Sequence, residues 1–198
     1  MQQFDQIGLV PLGEFALLDP EVLPESTDKE LRFDYYDLSS VEPHHVGKPE
    51  KCVFGEAPSR ARKIVKPGDV LMSTVRPNLR GFSRFPHDKC EGVASTGFAV
   101  IRGIEGISDS GFIAQCLFFD NVEKQISQLV SGSNYPAITV GNVKRLLLPK
   151  FKLKEQKRIA EILSAVDEQI ETVQLEINKN RNTKNSLLRT HLENVGNA

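Results

Sequence analysis

Two short stretches of this chain concentrate side chains that can grip and read a nucleic acid. Arg76-Pro77-Asn78-Leu79-Arg80-Gly81 places two guanidinium groups and a carboxamide in one loop. Ser131-Gly132-Ser133-Asn134-Tyr135 gathers hydroxyls, an amide and a phenol in a second. Arginine can fork onto the acceptors of guanine and asparagine onto those of adenine, while serine and threonine bond phosphates or either base. Arg76, Asn78, Arg80, Arg84, Ser95, Ser133, Asn134 and Tyr135 are therefore the candidate DNA-contacting residues. Each also has a structural alternative: Ser133 and Asn134 suit a turn, and Arg80 could pair with a carboxylate of the acidic N-terminal third.

Other chemistries lack their signatures. A cofactor-dependent base methyltransferase needs a glycine-rich turn and an Asn/Asp-Pro-Pro-aromatic loop, and Asn134-Tyr135-Pro136 has such letters in the wrong order. A metal-dependent nuclease needs converging carboxylates with a lysine, whereas Glu155-x-Lys157 stands without an aspartate in view. Neither a phosphate-binding Gly-x-x-x-x-Gly-Lys-Ser/Thr nor a Gly-x-Ser-x-Gly nucleophile turn occurs. His87-x-x-Cys90 has metal-like spacing but no second pair, so a loop histidine and a thiol are the better reading. The expectation is a chain with no catalytic residues, no metal and no cofactor.

At 198 residues, 39% hydrophobic and 26% charged, the chain has enough apolar material for one domain and an appendage. No run approaches the roughly 18 apolar residues of a membrane span, and the N-terminus lacks a basic-then-apolar signal. The odd, scattered cysteines Cys52, Cys90 and Cys116 suit a reducing, cytoplasmic setting. The net charge of −1 argues against a general polyanion binder, but its distribution is uneven. Residues 1–50 hold 3 basic and 11 acidic side chains, net −8, and residues 51–90 hold 9 and 3, net +6. That basic segment either docks on phosphates or pairs with the acidic third, and composition leaves the two level.

The loops need a scaffold. Strands are expected near residues 7–20, over Leu31–Leu38, at Val70–Val75 and from Phe82, with Ala61–Ile64 a short helix or a strand edge. Val41–Pro58 reads as an irregular connection, Glu91–Ile101 as a small-residue loop feeding a strand, and Phe112–Leu129 as helical. Strands and helices mix without regular alternation, so the globular part, residues 1–151, is α+β or mixed α/β. Residues 152–198 then form one long helix. Ile159, Leu163, Val166, Ile170, Val173 and Ile177 step by four and three along it as a heptad seam. Some forty helical residues span roughly 60 Å, more than a domain of this size needs for its own core.

These pieces resemble a known family. Val10-Pro11-Leu12-Gly13-Glu14, Lys66-Pro67-Gly68-Asp69-Val70-Leu71, Gly92-Val93-Ala94-Ser95, Ser131-Gly132-Ser133 with Pro136-Ala137-Ile138, and Leu153-x-Glu155-Gln156-x-x-Ile159-Ala160 are similar to specificity subunits of type I restriction–modification systems. Lys152 departs from the proline usual there. The resemblance implies a non-catalytic target recognition domain followed by a conserved helix, a plan such subunits carry twice. It implies double-stranded DNA, methyltransferase subunits and restriction subunits as partners, in a complex that methylates adenine and cleaves DNA. One recognition domain and one helix are half of that plan.

A half plan leaves the seam without a cover, so the expectation is a homodimer with the helices paired as an antiparallel coiled coil. Lys154, Lys157 and Arg158 crowd the helix N-terminus, where the macrodipole disfavours them and an antiparallel partner would offset them. Asn178, Asn180, Asn182 and Asn185 interrupt the seam, either as a solvated stretch or as register control or contact with a methyltransferase partner, which the helix is also expected to dock. Two other readings stand beside this one: a detached recognition region of a single-chain methyltransferase–nuclease, and a coiled-coil scaffold that binds no DNA.

Overall fold

The computed structural model describes residues 8–132 and 136–196, with side chains described through Arg189. The globular unit is built on two four-stranded sheets. Its strands are β1 (Leu9–Pro11), β2 (Ala16–Leu18), β3 (Arg32–Tyr36), β4 (Val41–Glu42), β5 (His45–Val46), β6 (Glu50–Val53), β7 (Ala61–Val65), β8 (Val70–Ser73), β9 (Phe82–Arg84), β10 (Gly92–Ser95), β11 (Phe98–Gly103) and β12 (Leu147–Pro149). Its helices are α1 (Leu12–Phe15), α2 (Ser110–Cys116), α3 (Asp120–Leu129) and α4 (Val140–Val143), and α5 (Leu153–Gly196) begins within it.

One sheet runs β6-β3-β10-β7 and the other β2-β11-β8-β9. All pairings in them are antiparallel except β3 with β10, where Val93 lies opposite Tyr35. Gly92 permits that parallel contact: a Cβ there would lie 2.7 Å from a Tyr36 ring carbon and 2.9 Å from the Asp34 carbonyl. A β-strand presents alternate residues to opposite faces. Along β8 and β11, Leu71, Phe98 and Val100 join the core between the sheets, with Tyr36, Val65 and Phe85. Val70, Met72, Ala99 and Ile101 face the other way, into a core closed by α2 and α3 through Phe112, Ile113, Leu117, Val122 and Ile126. The central strands β8 and β11 are therefore buried on both faces, which explains the apolar run Val70–Met72 of β8.

Three segments differ from the sequence expectations. The stretch Val41–Pro58 holds a small hairpin, Val41 opposite Val46, and the edge strand β6, where Cys52 pairs with Phe33. Its prolines and glycines fall between these short strands. Glu91–Ile101 makes two strands rather than one, because the Thr96–Gly97 turn carries the chain from one sheet to the other. The helical stretch Phe112–Leu129 breaks at Leu117–Phe119, where Phe118 and Phe119 donate to Gln115 and Cys116 in three-residue steps. Phe118 stacks on His44 there, with ring centroids 3.8 Å apart. Ala61–Ile64 is a strand, β7, at a sheet edge.

Much of the basic segment is consumed in holding the fold. Lys51 meets Asp34 at 2.5 Å, Arg60 meets Asp37 at 3.7 Å and Lys63 meets Asp19 at 2.7 Å. Lys66 bonds both carboxylate oxygens of Glu21 at 2.6 and 2.8 Å, and Arg102 forks onto Asp69 at 2.7 Å while also reaching Glu21. Hydrogen bonds from Lys66 and then Arg102 hold the Glu21 carboxyl below its ordinary value. A depressed carboxyl contributes stability above its unfolded pKa and loses that contribution as pH falls through the folded one. Acid unfolding followed by circular dichroism should therefore show wild type losing its margin over Glu21→Gln on the acid side of the ordinary glutamate range. A constant margin across that range would contradict the assignment.

The compact units divide at Ala160 and Glu161, inside α5. The first two turns of the helix belong to the globular unit because Gln156, Ile159 and Ala160 pack into it. The second unit is the continuation of the same helix to Gly196. Among the described residues no helix is long and apolar enough to cross a membrane.

Candidate DNA interface

The 76–80 loop is strained and held from both ends. Arg76 (φ 49°) and Arg80 (φ 54°) both adopt the left-handed conformation and flank a 3-10 turn at Pro77–Leu79. Non-glycine residues there cost of order 1–3 kcal/mol each unless their surroundings hold them. The surroundings do: Leu79 N–H donates to Arg76 at 2.9 Å, Arg80 N–H to Pro77 at 3.0 Å, and Phe82 N–H to the Arg80 carbonyl at 2.6 Å. Pro77 at the start of the turn needs no amide partner, and it is buried.

The segment Pro136–Ile138, which follows the second candidate loop in sequence, pairs with the chain leading into the first. Arg76 N–H donates to the Pro136 carbonyl at 2.7 Å, Val75 bridges Ala137, and Ile138 N–H donates to Thr74 at 2.9 Å. Ser131 and Ala137 exchange backbone bonds at 3.0 Å, closing the loop at its base. Ser133, Asn134 and Tyr135, proposed from the sequence, lie outside the described residues. The described residues on either side, Ser131 and Pro136–Ile138, are tied to each other and to Thr74–Arg76.

The proposed residues of the first loop differ in their surroundings. Arg76 and Asn78 are exposed. Arg80 donates from Nη2 to Glu123 Oε2 at 2.6 Å and from Nε to the other oxygen of the same carboxylate. Its partner is thus on α3, not in the acidic N-terminal third. Arg84 is half-buried: Nη2 meets His87 Nε2 at 2.7 Å, and Nε is buried with no hydrogen-bond partner among the described residues.

Ser95 is a correction. It is only 1% exposed, at the end of β10, and its hydroxyl accepts from Gly97 N–H at 3.2 Å. A side chain so placed shapes the turn between the sheets and cannot reach a base. Ile159, the first residue of the proposed seam, packs half-buried against the core of the globular unit. The rest of the seam is open on the second unit: Leu163, Val166, Ile170, Val173 and Ile177 are 40%, 46%, 62%, 53% and 40% exposed. The asparagine-bearing stretch 178–185 is helical like its surroundings.

Two side-chain contacts around these elements were not read from the sequence. Gln156 is fully buried: its Oε1 accepts from Asp109 N–H at 2.9 Å, and its Nε2 donates to Ile107 and Phe151 carbonyls at 3.0 and 2.9 Å. The signal was present, since Gln156 stands one heptad before Leu163 and shares its face, so a polar residue there calls for buried partners. Glu123 carried no such signal; pairing it with Arg80 requires the tertiary fold.

Comparison with known proteins places this architecture. The family model described as "Type I restriction modification DNA specificity domain" matches residues 63–180. The chain is 30% identical over 119 residues to the type I restriction enzyme HindI specificity subunit of Haemophilus influenzae, covering 59% of this chain and 26% of that protein. The HsdS subunit from Thermoanaerobacter tengcongensis superposes with a TM-score of 0.73 at 32% identity, over 84% of this chain and 43% of that one. A chain from a structure reporting complex assembly and conformational transition of the type I restriction–modification system gives 0.74 at 31%, with the same coverage. The S subunit from M. genitalium, at 16% identity and a TM-score of 0.53, shares the fold. The chain spans less than half the length of these relatives. A recognition-type α+β unit running into a long helix, with the family match over most of both, makes this chain a member of the type I restriction–modification specificity subunits.

Proposed function

We propose that the chain reads one half of a bipartite DNA target and brings methyltransferase subunits, and with them restriction subunits, to that site, without catalysing either reaction itself. Arg76, Asn78 and Arg80 carry the reading, together with Ser133, Asn134 and Tyr135 of the neighbouring loop. The observation that supports this most is the bond from Arg76 N–H to the Pro136 carbonyl at 2.7 Å, which ties the 76–80 loop to the residue that follows the second polar stretch. A rigid loop carrying guanidinium and carboxamide groups is suited to base edges, because base contacts need orientation as well as charge. The exposed seam from Leu163 to Ile177 takes a second copy of this helix, antiparallel, so that two recognition units address two inverted half-sites. Helix length then sets the spacer, and the complex works in the cytoplasm on chromosomal or invading duplex.

The test is duplex binding by the chain with its methyltransferase subunit, followed by fluorescence anisotropy. Arg76→Ala and Asn78→Ala should each weaken selective binding by roughly ten-fold, as expected for loss of one good base contact. Binding and selectivity unchanged in both variants would remove this loop from the interface.

A further inference from the structure

The pairing of Arg80 with Glu123 assigns a role to a residue outside the reading loops. Glu123 sits in the first turn of α3, where the helix dipole favours a carboxylate. Its neighbour Val122 and, one turn on, Ile126 are buried in the core, so the backbone beneath it is fixed. Its carboxylate engages the Nε and Nη2 atoms of Arg80, the side-on edge of the guanidinium. Arg80 itself is half-exposed and springs from a left-handed residue whose carbonyl and amide are both bonded within the loop. No other hydrogen bond from this guanidinium occurs among the described residues. The donors left are those of the outer edge, Nη1 and the second hydrogen of Nη2, a planar fork that matches two adjacent acceptors.

We propose that Glu123 is a positioning residue: by gripping the inner edge of Arg80 it directs the outer edge onto the O6 and N7 acceptors of a guanine in the major groove. The carboxylate does two things at once. It fixes the plane of a side chain that would otherwise sample many rotamers, and ordering a long side chain in advance lowers the entropy lost on binding. It also offsets the positive charge, so that the arginine is drawn less to any phosphate and its contribution depends more on the base presented. A free arginine at this position would bind DNA at least as tightly and select less. The inference rests on the proposed reading that the 76–80 loop faces DNA.

The experiment compares wild type, Arg80→Ala, Glu123→Gln and the double variant, each as the full chain with its methyltransferase subunit. Each is offered a randomised duplex pool, the bound fraction is sequenced, and affinity for a non-selected duplex is measured across a salt series. Glu123→Gln keeps the side chain's size and removes its charge, and thermal melting checks that the fold is retained. The expected result is loss of preference for guanine, by roughly ten-fold, at the same single position in Arg80→Ala and Glu123→Gln. The double variant should be no less selective than Arg80→Ala, and the non-selected duplex should bind Glu123→Gln at least as well as wild type. Guanine preference kept in Glu123→Gln but lost in Arg80→Ala would overturn the positioning role. A loss in Arg80→Ala that is uniform across sequences, with the salt slope reduced by about one, would make Arg80 a phosphate contact and also overturn it. If Arg80→Ala and Glu123→Gln both leave selection and salt dependence untouched, the underlying placement of this loop on DNA fails instead.

Discussion

Replacing Gln156 by leucine is expected to lower the free energy of unfolding by about 2–3 kcal/mol, the cost of leaving a buried donor and its acceptors without partners. The side chain is fully buried and uses all of the hydrogen-bonding atoms that face the fold: Oε1 takes the Asp109 amide, and Nε2 gives to Ile107 and Phe151. Leucine fills nearly the same volume but satisfies none of the three. The change also falls at a tight helix contact, since a Cβ on Gly111 would lie 3.2 Å from the Ala160 methyl. Gln156→Glu makes a sharper comparison. Its carboxylate could still accept from Asp109 but would face two carbonyls with no proton to donate. Protonation restores a donor, so the deficit of this variant should shrink as pH falls, whereas that of the leucine variant should not depend on pH. Urea titration at several pH values reads both; equal, pH-independent losses would show that packing rather than hydrogen bonding holds the helix start.

The second large effect concerns association. In the proposed dimer, Ile170 and Val173 lie midway along the open seam and are its most exposed members, at 62% and 53%. Burying a Val or Ile side chain contributes roughly 1.5–3 kcal/mol over leaving it in water. Aspartate at both positions forfeits that gain and adds desolvated charge in each of two copies. Light scattering should find wild type as a dimer at micromolar concentration and Ile170→Asp/Val173→Asp as a monomer. The globular unit should be unaffected, because its core takes no residue beyond Ala160. A monomeric wild type would dismiss the dimer.

The sequence carries some of this directly and some only through the fold. The long helix and its seam are legible because heptad spacing is a local property, and β8 is legible because a strand buried on both faces carries the consecutive apolar residues Val70, Leu71 and Met72. The hairpin Val41–Val46 and the pairing of β6 with β3 are not, because turn-rich segments with two- to four-residue strands have too little periodicity to register. The strand change at Thr96–Gly97 is hidden by the same small residues that make it possible. For the basic segment, composition counts charges but cannot assign partners. Lys51, Arg60, Lys63 and Lys66 serve the acidic N-terminal third, while Arg80 serves α3. The loop at 76–80 stands out in the sequence by residue type, and Ser95 does too, yet only burial separates them. Ile159 shows the converse: a heptad pattern continues across the point where a helix leaves one core for another surface, and spacing alone does not mark the change.

The methylation that the proposed dimeric reader should specify is the most direct test of that function. The chain is co-expressed with its methyltransferase subunit in a host lacking other adenine methylation, and sequencing that detects modified bases then reads the target from the modified positions themselves. Methyladenine should appear in a bipartite motif whose two halves are inverted copies separated by a spacer of one length. Methylation at an unsplit motif or at two unrelated half-sites, or no methylation when both proteins are present and folded, would contradict the dimeric reader.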